Sequence, residues 1–213
     1  MTSAARLYGE GIAALEAGRP HRLLIRDERG GIAPLALDDW HRTARPGDHS
    51  LLARCVGSTL DAGCGPGRLA AALALAGRPV LAVDIVPAAV SAARRRGAAA
   101  LRRSVFGRVP GEGRWTSVLL ADGNVGIGGD PVRLLRRVAG LIGAAGRIVV
   151  ELAPPGAGRH YRFRLEHGRR YSEWVPWADL GADEARRAGA AAGLVVDEEW
   201  EAEGRWFATL TRG

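Results

Sequence analysis

The chain has no lysine. Its 30 cationic side chains other than histidine are all arginine, and they give a formal charge of +7 and a pI near 10.7. With abundant Ala and Gly, this composition reads as the imprint of a GC-rich genome, which weakens charge as a functional signal. A basic surface would speak for nucleic acid or an anionic ligand only if the arginines were clustered. Cysteine is scarce too. Cys55 and Cys64 are the only two, which excludes a disulfide framework and predicts free thiols in a reducing compartment. No two His or Cys have metal-ligand spacing, so no metal is expected. No run approaches the roughly 18 apolar residues of a membrane span, and Met1 to Glu10 carries no apolar signal region. A soluble, cytoplasmic protein is expected. Aromatics make up only 6%, yet six of them are Trp. At 213 residues and 47% hydrophobic, the chain is large enough for one unstapled domain.

Residues 3–17 predict a helix, with Leu7, Tyr8, Ile12 and Leu15 at helical spacing and Gly18 and Pro20 to stop it. Arg22–Arg26 and Ile32–Leu37 flank Asp27-Glu28-Arg29-Gly30-Gly31, a hairpin pattern. Residues 38–50 read as loop, followed by a short helix near 49–56. From Ser58 a regular alternation begins. Strands are expected at 58–62, 79–84, 99–103, 116–121 and 147–152, and helices at 66–76, 87–96 and 131–142. Pro87 and Pro131 suit first helical positions, and Asp130 suits an N-cap. Short apolar strands alternating with helices argue a doubly wound, mostly parallel α/β sheet. Then Tyr161, Phe163 and Leu165 alternate with Arg162, Arg164 and Glu166. His167-Gly168 reads as a turn and 169–174 as a return strand, so 158–177 is a second hairpin, inserted before a helix at 178–191. Strands near 194–201 and 206–210 close the chain. The expected organisation is a single domain over 1–213. It comprises an N-terminal helix and hairpin (1–56), a core (57–153), the hairpin insertion (158–177) and a C-terminal helix with antiparallel strands (178–213).

The most informative segment is Leu60-Asp61-Ala62-Gly63-Cys64-Gly65-Pro66-Gly67. Glycines let the backbone turn sharply and approach a ligand with no Cβ between. The following helix offers free N-terminal amides, which suit a carboxylate as well as a phosphate. A dinucleotide fingerprint has Gly-x-Gly-x-x-Gly spacing. Here it is Gly-x-Gly-x-Gly, and Arg68 stands where that fingerprint places its last glycine. About 20 residues on, the second strand ends at Asp84, the position of an acid that accepts hydrogen bonds from vicinal ribose hydroxyls.

Leu60–Gly67 resembles the first motif of the class I S-adenosylmethionine (SAM)-dependent methyltransferases, and Leu81-Ala82-Val83-Asp84-Ile85 resembles the second. Val118–Asn124 and Ala145–Glu151 are similar to the region of the fourth strand and the approach to the fifth. The resemblance spans about 57–153 by motif. It implies a Rossmann-like sheet of seven strands with the last antiparallel, and SAM as cofactor. It also implies roles: Asp61 near the methionine amino group; Gly63, Cys64, Gly65 and Gly67 in the cofactor loop; Asp84 on the ribose; Ile85 on the adenine. Ser104 and Val105 would reach the adenine edge, and Asp122 the reactive end. Ser104 departs from the acid or amide common there, which leaves that contact to backbone.

The acceptor is less legible. Ligands of open α/β sheets bind beyond the carboxyl ends of the strands. Three segments can cover that edge: the N-terminal part with Trp40, His41 and His49, the glycine-rich loop 122–129, and the hairpin. Candidate catalytic residues are Asn124, His160 and His167, although alignment alone can supply much of the rate. Basic and aromatic residues interleave in the hairpin. They could grip RNA, hold an anionic small molecule, or simply pack on the sheet. The expected activity is methyl transfer from SAM to a small molecule, which the arginines would allow to be anionic. The alternatives are an RNA-directed methyltransferase, an NAD(P)-dependent oxidoreductase and a non-catalytic SAM-binding protein. Oligomeric state is not legible.

Overall fold

Side chains alternate between the faces of a strand, and the burial pattern follows that rule. Val118, Leu120, Ile148 and Val150 join one apolar cluster, whereas Leu119 and Val149 between them join another. Central strands apolar on both faces require helices on both sides. The computed structural model describes residues 2–213. In chain order it contains α1 (Ala4–Glu16), β1 (Leu24–Asp27), β2 (Ile32–Pro34), α2 (Leu37–His41), α3 (Pro46–Ala53), β3 (Thr59–Ala62), α4 (Arg68–Leu75), β4 (Val80–Asp84), α5 (Pro87–Arg95), β5 (Ala100–Arg102), β6 (Trp115–Leu120), α6 (Pro131–Ala139), β7 (Ile142–Leu152), β8 (Arg159–His167), β9 (Arg170–Tyr171), β10 (Val175–Asp179), α7 (Ala185–Ala191), β11 (Leu194–Ala202) and β12 (Arg205–Arg212).

The main sheet has seven strands in the order β11-β12-β7-β6-β3-β4-β5. Pairing is parallel from β7 through β5, and β12 runs antiparallel between β7 and β11. Leu134, Leu135 and Val138 of α6, with Ala185 and Ala188 of α7, cover one face. Leu51 and Leu52 of α3 and Leu69 and Leu73 of α4 cover the other, beside Phe207. The strand order reverses between β3 and β6, and a ligand crevice opens beyond the strand ends at such a point.

A second sheet lies apart from the first. Its order is β10-β8-β1-β2, with β9 against β8, and every pairing is antiparallel. The N-terminal hairpin and the inserted hairpin, expected as separate decorations, are therefore one structure. They join through β1 and β8, where Ile25 is registered with Leu165 and Asp27 with Phe163.

Four local expectations need correction. Part of 38–50 is helical. Pro46 opens α3, and Asp48 reaches back to accept the Arg45 N–H over 2.7 Å, a start signal legible in retrospect. α6 stops at Ala139 rather than 142, and β7 begins at Ile142, well before 147. The expected return strand 169–174 is largely broken. Ser172 turns inward and accepts the Leu165 N–H over 3.0 Å, so the long pairing with β8 is made by β10. The helix expected from 178 begins only at Ala185, because Val175, Trp177 and Asp179 continue a strand alternation toward the cavity.

Candidate active site

Gly63, Gly65 and Gly67 all hold left-handed φ, at 80°, 52° and 84°, where a side chain is strained. They serve different ends. A Cβ on Gly63 would lie 2.9 Å from Ile127 and 3.0 Å from Asn124, and one on Gly65 would lie 3.0 Å from the Tyr8 hydroxyl. A Cβ on Gly67 would come within 2.5 Å of Ala93 Cβ and 2.6 Å of its Cα. Gly67 therefore lets α5 pack on the loop, and it is its neighbours Pro66 and Arg68 that line the cavity. The N–H groups of Gly63 and Cys64 donate to the Val83 carbonyl over 2.9 and 3.1 Å, tying the loop to β4.

Three carboxylates meet at this loop. Asp84, at the end of β4, accepts the Gly65 N–H over 3.0 Å and the Val86 N–H over 2.8 Å. A carboxylate has about four acceptor sites, so it keeps capacity for hydroxyl donors. Burial raises its pKa, against the lowering effect of those amides. Asp61 is 3% exposed and lines the cavity. Burial, reinforced by Asp122 and Asp84, pushes it up to about 7. It has no ion-pair partner among the described residues, so a charge there would be buried without compensation. Asp122 follows β6 with a φ of 54°. Its two oxygens both accept from Arg68 Nη2, at 2.9 and 2.7 Å, while its own N–H donates to Glu151 over 2.7 Å. Burial still raises its pKa.

The cavity holds about 440 Å³, within the range of small-molecule sites. Asp61, Gly63, Cys64, Gly65, Asp84, Ile85, Ser104, Val105, Asp122 and Asn124 all line it, so the structure gathers these expected residues. Asn124, one of the catalytic candidates, also holds the loop. Its Nδ2 donates to the Gly63 carbonyl over 2.7 Å and to that of Ala62 over 3.2 Å, so it braces the glycine loop. His160 and His167 lie outside the cavity. The Nδ1 of His160 sits 2.9 Å from the Gly129 carbonyl, and that of His167 sits 2.7 Å from the Arg22 carbonyl while its ring stacks on His21. His41 is bonded to Glu16 over 2.9 Å.

Two features went unread in the sequence. The first is a buried ionic network. Arg68 pairs with Asp48, which is fully buried, and with Asp122. Arg205 pairs with Asp48 over 2.7 Å and binds Glu151 in a fork at 2.8 Å. It links α3, α4, β12 and the ends of β6 and β7, and nothing local announces it. The second is the roof. One face of the second sheet presents Ile25, Leu165, Phe163, Tyr161, Val175 and Trp177 to the cavity. The alternation in 161–166 carried that signal, but not what the face would cover. Arg164 and Arg170 form ion pairs with Glu166 and Glu10, whereas the Arg162 side chain reaches only the Trp174 carbonyl, over 3.4 Å.

Residues 59–106 match the family model described as a methyltransferase domain. No curated protein sequence matches the chain. Among solved structures, a SAM-dependent methyltransferase from Bacteroides fragilis in complex with S-adenosyl-L-homocysteine superposes with a TM-score of 0.86. The two share 20% identity over 100% of this chain and 97% of that one. The chain has the fold of the SAM-dependent methyltransferases. Other examples of this methyltransferase fold are more distant. The 1,6-didemethyltoxoflavin-N1-methyltransferase of Burkholderia thailandensis reaches a TM-score of 0.62 at 20% identity, covering 100% of this chain and 91% of that one. The CcbJ methyltransferase of Streptomyces caelestis reaches 0.65 at 16%, covering 97% and 98%. The strand order of the methyltransferase sheet puts the cavity above β3, β4 and β6, where the glycine loop, Asp84 and Asp122 meet.

Proposed function

We propose that this chain transfers the methyl group of SAM to a small-molecule acceptor, with residues 1–213 working as one unit. The observation that carries the proposal is Asp61, a buried carboxyl without a cationic partner at the floor of the cavity, beside a glycine loop anchored on Asp84. That donor and acceptor set fits SAM. Asp61 would meet the amino group, the Gly63–Gly65 backbone would pass beside the amino-acid part, and Asp84 would accept from the ribose hydroxyls. Ile85 and Val105 would flank the adenine, with Ser104 at its edge. The bound sulfonium supplies an electrophilic methyl group for in-line attack. The chain's own contribution is to hold the reactants in line and exclude water. Among the described residues no histidine lines the cavity, so the proposal assigns the protein no histidine base.

The deep neighbours described as methyltransferases of a toxoflavin precursor and of a sugar support a small-molecule acceptor. Three hairpin arginines, Arg159, Arg164 and Arg170, are held in ion pairs and so offer less to an RNA backbone, and Arg68, held by Asp48 and Asp122, is no substitute for a dinucleotide-loop glycine. We read the protein as acting in the cytoplasm. Calorimetric titration with SAM, S-adenosylhomocysteine and NAD tests the proposal. Both adenosyl compounds should bind and NAD should not. Asp84→Ala should weaken the adenosyl ligands by roughly 1–3 kcal/mol. Binding of NAD alone would overturn the reading.

A further inference from the structure

We infer that the roofed half of the cavity selects a flat, largely apolar ring carrying a hydrogen-bond donor or a protonated nitrogen, and that Asp179 is the residue that reads that group. The inference rests on the methyltransferase reading above and concerns the same cavity.

The roof is built for a ring. Phe163 and Trp177 meet edge to face with centroids 5.6 Å apart, in register across β8 and β10 with Val175 and Tyr161. Trp177 is pinned from behind. A Cβ on Gly126 would lie 2.6 Å from its Nε1, so the indole sits hard against the turn that follows β6. Fixed aromatic faces favour planar ligands by stacking and area burial.

Charge then decides the polarity of the handle. Of the arginines lining the cavity, Arg68 is held by Asp48 and Asp122, whereas Arg103 has no ion-pair partner among the described residues but follows β5 beside Ser104, on the side read above as the adenine's. Under the roof the ionisable cluster is Asp179, Tyr161, Arg159 and Asp27. The Nε of Arg159 donates to Asp179 Oδ2 over 2.8 Å, and its guanidinium lies 4.3 Å above the Tyr161 ring. The Tyr161 hydroxyl donates to Asp179 Oδ1 over 3.3 Å, and burial first, then Asp179, pushes its pKa up to about 12. Asp27 lies 3.9 Å from Arg159. Two carboxylates face one guanidinium, so the cluster keeps a net negative charge. Arg159 and Tyr161 occupy one acceptor site on each Asp179 oxygen and fix its orientation, leaving sites for a ligand donor. An anionic ring would meet that charge unpaired.

The test uses protein saturated with S-adenosylhomocysteine and three matched probes: 4-aminoquinoline (cationic), 2-naphthol (neutral donor) and 2-naphthoate (anionic), titrated by calorimetry. The first two should bind, with the naphthoate at least about tenfold weaker, the scale of one hydrogen bond to a charged group. Asp179→Asn should shrink the gap between 4-aminoquinoline and naphthoate by about the same factor. Trp177→Ala should weaken all three probes. S-Adenosylhomocysteine affinity should be unchanged in both variants, which also reports intact folding. Naphthoate binding as tightly as 4-aminoquinoline, an undiminished gap in Asp179→Asn, or no probe binding would each overturn the inference. Loss of S-adenosylhomocysteine binding by the unaltered protein would instead overturn the methyltransferase proposal.

Discussion

The Nδ2 of Asn124 donates to the Gly63 carbonyl over 2.7 Å, joining the turn after β6 to the loop after β3. The link crosses the switch point of the sheet, where a ligand must contact both segments. Asn124→Ala would leave two carbonyls without their donor and free the loop. The expected outcome is S-adenosylhomocysteine binding weaker by roughly 1–2 kcal/mol, with little change in melting temperature. Calorimetry checks it, and unchanged affinity would show that the brace is dispensable.

Asp61 predicts a pH dependence. Its folded pKa, about 7, lies above the ordinary carboxylate value. The folded, ligand-free state therefore holds a proton that the unfolded chain has lost between about pH 4 and pH 7. Stability falls with rising pH across that window, because ionisation without a partner is disfavoured. Asp61→Asn should melt a few degrees higher than the unaltered protein at pH 8, with the difference vanishing toward pH 4. It should also bind S-adenosylhomocysteine more weakly, the trade expected of a site residue. Melting curves from pH 4 to 8 decide. A constant difference at every pH would refute the assignment.

Gly67 should be intolerant of even one methyl group. Gly67→Ala combines the left-handed backbone penalty with the clash against Ala93, about 2–4 kcal/mol together. That corresponds to a fall in melting temperature of roughly 5–15 °C. Adding Ala93→Gly should recover part of the loss, since one of the two overlapping atoms is removed. A melting temperature unchanged by Gly67→Ala would mean α5 packs less closely than described.

Arg68 is the hub of the buried network. Arg68→Met would leave Asp48 to Arg205 alone and Asp122 with only the longer 3.8 Å approach of Arg205, at a cost of about 3–5 kcal/mol. Arg68→Lys should rescue little, because Nη1 serves Asp48 and Nη2 serves Asp122, and one ammonium cannot take both places. Urea unfolding measures both. Stability of Arg68→Met equal to that of the unaltered protein would remove the network from any structural account.

What the sequence determined by itself was the local chemistry. Gly63, Gly65 and Asp84 declared a ligand loop because their spacing is dictated by one βαβ unit, and the strand-helix alternation dictated the parallel sheet. These signals are short in range, so they survive in a linear string. Pairings between distant segments do not. Arg205 meets Asp48 and Ile25 meets Leu165, each across more than half the chain, and no periodicity encodes which partner a strand edge or a guanidinium will find. The tertiary structure decided that two hairpins form one roof and that Trp177 and Asp179 belong to a strand facing the cavity. It also decided that His160 and His167 lie outside the cavity. Burial then did what residue type could not: it turned Asp61 from a strand acid into a carboxyl with a raised pKa, because only the folded surroundings withhold water and counter-charge from it.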